Sequence, residues 1–335
     1  MTGKIALLGA GSWGTALAVH AAYQHAEVRL WARDAEQVRQ MCRLRQNPRY
    51  LPGFAFPAPV QPHDDLGAAI ADCPLVVIAV PSRGFRTLLQ RLQPLLQPGQ
   101  RLVWATKGLD PRRGQWLHEV LAEELPGYAP AVLSGPSFAR EVMCALPTAL
   151  TAAAADPEHA AVIVQAFHGH SLRVYRSTDV LGVELGGAFK NVLAIAAGIA
   201  DGLAFGANAR AALITRGLVE LQRLGRAVGA NPQTLTGLSG LGDLILTCTD
   251  NQSRNRRLGL ALGQGHPLST ALAAIGQAVE GVETARVAML QAAQAGVSMP
   301  ICQEVHAVLY EGRPVQEAVR RLLERDPATE DLGQA

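Results

Sequence analysis

The run Lys4-Ile5-Ala6-Leu7-Leu8 leads directly into Gly9-Ala10-Gly11-Ser12-Trp13-Gly14, and the helix-forming string Thr15-Ala16-Leu17-Ala18 follows. A GxGxxG set between a first strand and a first helix restricts the fold far more than the same glycines in an isolated loop. Gly9 permits a tight turn and Gly11 lets the backbone approach a pyrophosphate. Gly14 lets helix and strand pack closely, with the ligand's negative charge at the helix N-terminus. The expected architecture is a Rossmann-type, doubly wound α/β domain with a mostly parallel sheet and a dinucleotide at this turn. The competing reading is a glycine turn in another α/β protein, such as one that binds an adenosyl methyl donor.

Apolar runs at 28–31, 75–80, 102–105 and 131–133 alternate with helical stretches, the pattern of a parallel sheet covered on both faces. Ligands gather at the carboxyl ends of such strands. Those ends carry Val80-Pro81-Ser82, Ala105-Thr106-Lys107-Gly108 and Leu133-Ser134-Gly135-Pro136-Ser137, all small, polar or cationic. The proline-rich segment 47–62 reads as a long surface loop. Runs at 148–153 and 172–175 close the sheet. From about Val180 onward helical periods dominate, at 180–203, 208–228, 253–263, 268–275, 282–296 and 300–309. The expected organisation is a dinucleotide-binding domain over 1–179, an all-helical substrate domain over 180–325 and a frayed polar tail over 326–335.

At 335 residues the chain is long enough for roughly two domains with full cores. A net charge of +2 gives no electrostatic case for nucleic acid or an anionic membrane. The first residues run straight into the first strand, so no signal peptide is expected. Apolar stretches are expected to break before the roughly 20 residues of a membrane span. A cytoplasmic protein is the resulting expectation. Five widely spaced cysteines without a CxxC pair point to neither a disulfide framework nor a zinc site. Cys144 and Cys248 lie near the segments singled out below, but packing is the simpler role for a small thiol.

Three places break the pattern. In Glu184-Leu185-Gly186-Gly187-Ala188-Phe189-Lys190-Asn191-Val192, Lys190 and Asn191 sit in a helix otherwise made of small and apolar residues. A solvated face is the usual explanation of a helical lysine, but no polar stripe is offered here. An enclosed ammonium near other cations has its charged form disfavoured, which makes a usable acid/base group. The second place is the glycine-rich turn Gly237-Leu238-Ser239-Gly240-Leu241-Gly242-Asp243, with Thr247 four residues on and Ser253-Arg254-Asn255-Arg256-Arg257 beyond. Arginines at a helix start suit phosphate, and a basic surface turn is the plainer alternative. The third is Glu280-Gly281-Val282-Glu283-Thr284, which also reads as an ordinary helix-start pattern.

With these residues in place, the chain resembles the bacterial NAD(P)-dependent glycerol-3-phosphate dehydrogenase family over nearly its full length. The likeness rests on GAGSWGT at 9–15, WARD at 31–34, YLPG at 50–53, TKG at 106–108, SGPSFA at 134–139, FKN at 189–191, GLGD at 240–243 and SRN at 253–255, in that order. That family reduces dihydroxyacetone phosphate to sn-glycerol 3-phosphate for glycerophospholipid synthesis. The resemblance implies NADPH/NADP and NADH/NAD as cofactors. It implies that Gly9, Gly11, Ser12, Trp13, Gly14, Arg33, Lys107, Ala139, Arg254 and Glu280 meet the cofactor or its surroundings. Lys107, Gly135, Ser137, Lys190, Asn191, Asp243, Thr247, Ser253, Arg254 and Asn255 would surround substrate. Lys190, Lys107 and Asp243 would be catalytic, and Ser137 stands where relatives often carry threonine.

The chemistry agrees. A secondary alcohol is oxidised when one group takes the hydroxyl proton as hydride leaves the same carbon, and Lys190 is the best-placed base. Lys107 would polarise the carbonyl, Asp243 would orient Lys190, and Arg254 with Asn255 would hold the phosphate. No metal is required. A strand ending in Arg33, with Asp34 after it, predicts that both cofactors work and that NADPH is preferred. The partners expected are small phosphorylated substrates, with no nucleic acid and no integral membrane segment. Oligomeric state stays open, a homodimer included. A phosphogluconate-type or hydroxyisobutyrate-type dehydrogenase is the rival enzyme, and a non-catalytic dinucleotide sensor is the rival outside catalysis.

Overall fold

The computed structural model describes residues 2–325, so the tail expected at 326–335 lies outside the described residues. The strands are β1 (Thr2–Leu8), β2 (His25–Trp31), β3 (Gln46–Asn47), β4 (Leu51–Ala55), β5 (Val60–His63), β6 (Leu75–Ile78), β7 (Arg101–Trp104), β8 (Ala131–Ser134), β9 (Thr148–Ala154) and β10 (Leu172–Ser177). Eight of them form one sheet in the order β10-β9-β8-β7-β6-β1-β2-β5. Its pairs are parallel except β8 with β9. The chain passes from β1 to β2 on one side and later to β6 on the other, so the carboxyl end of β1 is the topological switch point.

Contacts divide the chain into two compact units, the first running to Thr106 and including Trp116–Val180. Helices α1 (Ser12–Ala21), α2 (Ala35–Leu44), α3 (Leu66–Ile70), α4 (Ser82–Leu92), α5 (Leu117–Glu124), α6 (Ala139–Met143) and α7 (Pro157–Phe167) belong to it. The sheet forms because its central strands are apolar on both faces: β6 and β8 are buried at every position. The expected loop over 47–62 is corrected. Residues 46–55 make the small antiparallel pair β3–β4, and β5 joins β2 as the outer strand, Val28 opposite Val60 and Trp31 opposite His63. Prolines hide such a strand in sequence, and an edge position tolerates them.

The second unit holds Lys107–Gln115 and the chain from Leu181 onward. The segment 107–115 therefore packs with the helices, although its sequence position suggests the first domain. The helices here are α8 (Val180–Gly202), α9 (Gly206–Val228), α10 (Pro232–Leu235), α11 (Asp243–Thr249), α12 (Arg254–Gly263), α13 (Leu268–Ile275), α14 (Glu280–Gln294), α15 (Pro300–Tyr310) and α16 (Val315–Leu323). A single π-helical turn, Leu238–Gly242, feeds α11. The apolar runs were expected to be too short to span a membrane. Val180–Gly202 is nonetheless long and apolar enough to do so, but 94% of its apolar window is buried inside the protein, as befits a core helix.

Glycines set how closely α8 meets its neighbours. A Cβ on Gly198 would sit 2.1 Å from the Arg256 carbonyl oxygen, and one on Gly259 would sit 2.0 Å from that of Ile195. Gly202 and Gly263 stand one turn further along the same crossing. Backbones this close exclude any side chain.

Candidate active site

In the first unit, the GxGxxG turn divides its glycines by role. Gly9 has φ +119°, and a Cβ there would meet Ala79 and Val80 backbone at 2.8–2.9 Å. A Cβ on Gly14 would lie 1.9 Å from the Gly9 carbonyl oxygen, whereas one on Gly11 would meet nothing within 4 Å. Gly9 and Gly14 are thus required by the fold and Gly11 faces open space, the arrangement a bound pyrophosphate needs. No side chain caps α1 and its first turn carries no acid, so the N-terminal N–H groups suit an anionic ligand. Ser12 donates from Oγ to the Tyr50 carbonyl at 3.2 Å. The buried Trp13 Nε1 has no protein acceptor.

At the end of β2, Arg33 is exposed. The carboxylate of Asp34 is engaged elsewhere. It accepts from the Glu36 and Gln37 N–H groups at 3.0 and 3.3 Å, capping α2, and faces Arg49 at 3.4 Å. Gly135, Ser137 and Ala139 follow β8. Gly135 has φ +146° with Leu150 Cα 3.1 Å from where its Cβ would stand, Ser137 donates to the Gly135 carbonyl at 3.1 Å, and Ala139 opens α6.

In the second unit, Lys107, Lys190, Asp243 and Thr247 come together. Gly186 on α8 makes this possible: a Cβ there would lie 2.4 Å from the Ser239 carbonyl oxygen, so the π turn lies directly on α8 and delivers Asp243 beside Lys190. Asp243 is wholly buried, which is tolerable because both its oxygens are paired. Lys190 Nζ donates to Oδ1 at 2.5 Å and Lys107 Nζ to Oδ2 at 2.7 Å. Lys190 also donates to Thr247 Oγ1 at 2.9 Å, and that hydroxyl donates to the Asp243 carbonyl at 2.6 Å. The hydroxyl proton is thereby turned away from the lysine.

Lys190 is 6% exposed. Burial, opposed by Asp243 and reinforced by the Lys107 charge, brings its ammonium down to about 7. The lysine is therefore poised to exchange a proton near neutrality. Burial raises the neighbouring Cys248 thiol to about 12, leaving it unreactive packing.

Beside this cluster, Asn255 Oδ1 accepts from the Gly281 N–H at 2.9 Å and its Nδ2 donates to Asn191 Oδ1 at 2.8 Å. A backbone N–H can only donate, so it fixes both amide orientations. Asn255, expected at the phosphate, thus has its Oδ1 and one of its two Nδ2 N–H groups engaged within the unit, and Asn191 accepts on Oδ1. Ser253 caps α12, accepting from the Arg256 N–H at 3.1 Å. The arginine run divides: Arg257 is exposed, and Arg256 is buried against Asp201 at 2.5 Å, so its charge serves the fold. Arg254, half-buried on the first turn of α12, reaches Gln277 at 3.4 Å. Glu280 is half-buried at the start of α14, and Glu283 is exposed. The Asn255–Gly281 bond has no sequence signal, because 26 residues separate its partners.

Family models describing the N- and C-terminal parts of NAD-dependent glycerol-3-phosphate dehydrogenase match residues 4–160 and 179–320. Among curated relatives, the glycerol-3-phosphate dehydrogenase [NAD(P)+] of Thioalkalivibrio sulfidiphilus is 61% identical over 327 residues, covering 97% of this chain and 98% of that one. The Nitrosococcus oceani protein of the same name is 54% identical, covering 97% and 94%. Among solved structures, glycerol-3-phosphate dehydrogenase from Coxiella burnetii superposes with a TM-score of 0.93 at 48% identity, covering 96% of this chain and 99% of that one. With both halves matched and relatives this similar along the whole length, the chain belongs to the NAD-dependent glycerol-3-phosphate dehydrogenase family.

Proposed function

We infer that this protein reduces dihydroxyacetone phosphate to sn-glycerol 3-phosphate with NADPH or NADH. The observation that carries the reading is the buried lysine held between a shared carboxylate and a hydroxyl. The dinucleotide, when bound, supplies the hydride. Its pyrophosphate fits the open face of Gly11 and the uncapped start of α1. An ammonium has three N–H donors, and Asp243 and Thr247 take two from Lys190. The third is available to give a proton to the substrate's carbonyl oxygen, or, from the neutral amine in reverse, to be gained from the hydroxyl.

Lys107 adds positive charge where negative charge builds on that oxygen. Asp243 holds both ammonium groups in place and offsets their charge. Arg254, the second Nδ2 N–H of Asn255 and the Asn191 Nδ2 are the donors offered to the phosphate and hydroxyl oxygens. Arg33, exposed while Asp34 is occupied in a cap, admits a 2′-phosphate, which supports a preference for NADPH. The five free cysteines suit a reducing, cytoplasmic location.

Steady-state assays with each reduced cofactor test the reading. Dihydroxyacetone phosphate should turn over with both, better with NADPH, and unphosphorylated dihydroxyacetone should be poorer by roughly 10⁴-fold, because donors built for a phosphate are then left unpaired. Similar rates on the two ketones would refute the phosphate site.

A further inference from the structure

Within the segment 107–115, residues 110–115 form a closed turn. The Asp110 N–H donates to the Gln115 carbonyl at 2.9 Å, the Gly114 N–H to the Asp110 carbonyl at 2.9 Å, and the Arg112 N–H to Asp110 Oδ1 at 3.2 Å. This turn is fastened to α14. The buried Gln291 donates from Nε2 to the Gly114 carbonyl at 2.7 Å, and Arg286 donates to the carbonyl of Pro111. Gly114, at φ +73°, lies flat on the helix, where a Cβ would be 3.4 Å from Leu290 Cδ1 and 3.6 Å from Val287 Cγ1. Only Gly108 and Leu109, both buried, separate this anchored turn from Lys107. Neither Arg286 nor Gln291 has any part in the chemistry described above. A buried amide beside the buried Val287, Ala288 and Ala292 of its own helix is costly unless its hydrogen bond is needed.

We propose that Gln291, assisted by Arg286, is a positioning residue: it straps the 110–115 turn to α14 and so sets where the Lys107 ammonium meets Asp243. The proposal rests on the catalytic reading given above. Through Lys107 the strap also bears on Lys190, whose ammonium the Lys107 charge helps to destabilise.

Gln291→Leu keeps the bulk and removes the donor. It should lower kcat for dihydroxyacetone phosphate reduction about tenfold and leave the Kd for NADPH unchanged. It should also move the midpoint of the kcat/KM pH profile upward, because Lys107 no longer opposes the Lys190 charge as closely. In a Lys107→Ala background the same substitution should cost no further activity. An equal fractional loss in both backgrounds, or an unmoved midpoint with a lowered Tm, would reduce Gln291 to a packing residue and overturn the proposal. If Gln291→Leu does not fold, Arg286→Met, which removes the contact to Pro111, carries the same expectations. Amide hydrogen exchange over 107–115 should quicken in either variant, a readout independent of turnover. Should the wild type reduce no dihydroxyacetone phosphate, the functional reading falls, while unchanged exchange would by itself refute the strap.

Discussion

At the scale of single residues, the decisive fact is that a fully buried carboxylate is shared by two lysines, of which only one is deeply enclosed. Lys107 has a side chain 16% exposed against 8% for Lys190, so desolvation falls harder on Lys190. Its ammonium is brought down to about 7, which makes the acid and base forms comparably populated at neutral pH. Reduction of the ketone consumes the protonated form, so its kcat/KM should fall as pH rises through about 7. Oxidation of glycerol 3-phosphate needs the neutral amine and should rise over the same interval. Profiles in both directions check this; two limbs of the same sign would exclude Lys190 as the group that changes role. Lys190 was legible in sequence because a charge interrupts an apolar helix. Asn255 was half-legible: its place beside the site could be read, but its two bonds to Gly281 and Asn191 depend on tertiary contacts.

At the scale of elements, the helical unit depends on glycines that let α8 and α12 touch backbone to backbone. Gly259→Ala would place a methyl 2.0 Å from the Ile195 carbonyl oxygen, and main chain cannot rotate away as a side chain can. The substitution should cost about 3 kcal/mol, read as a clear fall in Tm. Gly84→Ala, in α4 with nothing within 4 Å of the new Cβ, should be neutral or slightly stabilising. Equal effects would mean that the crossing is looser than its geometry implies. Period and composition reveal helices and buried strands, so α8, α12 and the strands β1, β2 and β6 to β10 are recognisable from their apolar runs. They do not reveal partnership. β5 is obscured by prolines and defined by its pairing with β2, α16 went unread, and the 107–115 segment packs with helices far along the chain. Glu220 on α9 likewise accepts from the Ile301 N–H at 2.7 Å to cap α15, a bond spanning 81 residues.

At the scale of the whole molecule, the two units divide the work, and the division can be tested by breaking one without the other. The pyrophosphate turn is made from β1, α1 and the end of β6, all in the first unit, while the lysine pair, Asp243 and Thr247 all belong to the second. Lys190→Ala should therefore abolish turnover yet keep the thermal stabilisation conferred by NADPH. A ligand at 100 times its Kd contributes about 2.7 kcal/mol, enough to raise Tm measurably. Gly11→Ala should do the opposite. Gly11 has φ −79° and ψ −175°, which any residue can adopt, and its added Cβ meets no protein atom, so the Tm without cofactor should be unchanged. The methyl would occupy the space a pyrophosphate requires, and the NADPH-dependent rise in Tm should shrink or vanish. A Gly11→Ala protein that is stabilised by NADPH as strongly as the wild type would show that the dinucleotide does not lie against this turn, and would remove the ligand-based reason for Gly11, leaving Gly9 and Gly14 explained by the fold alone.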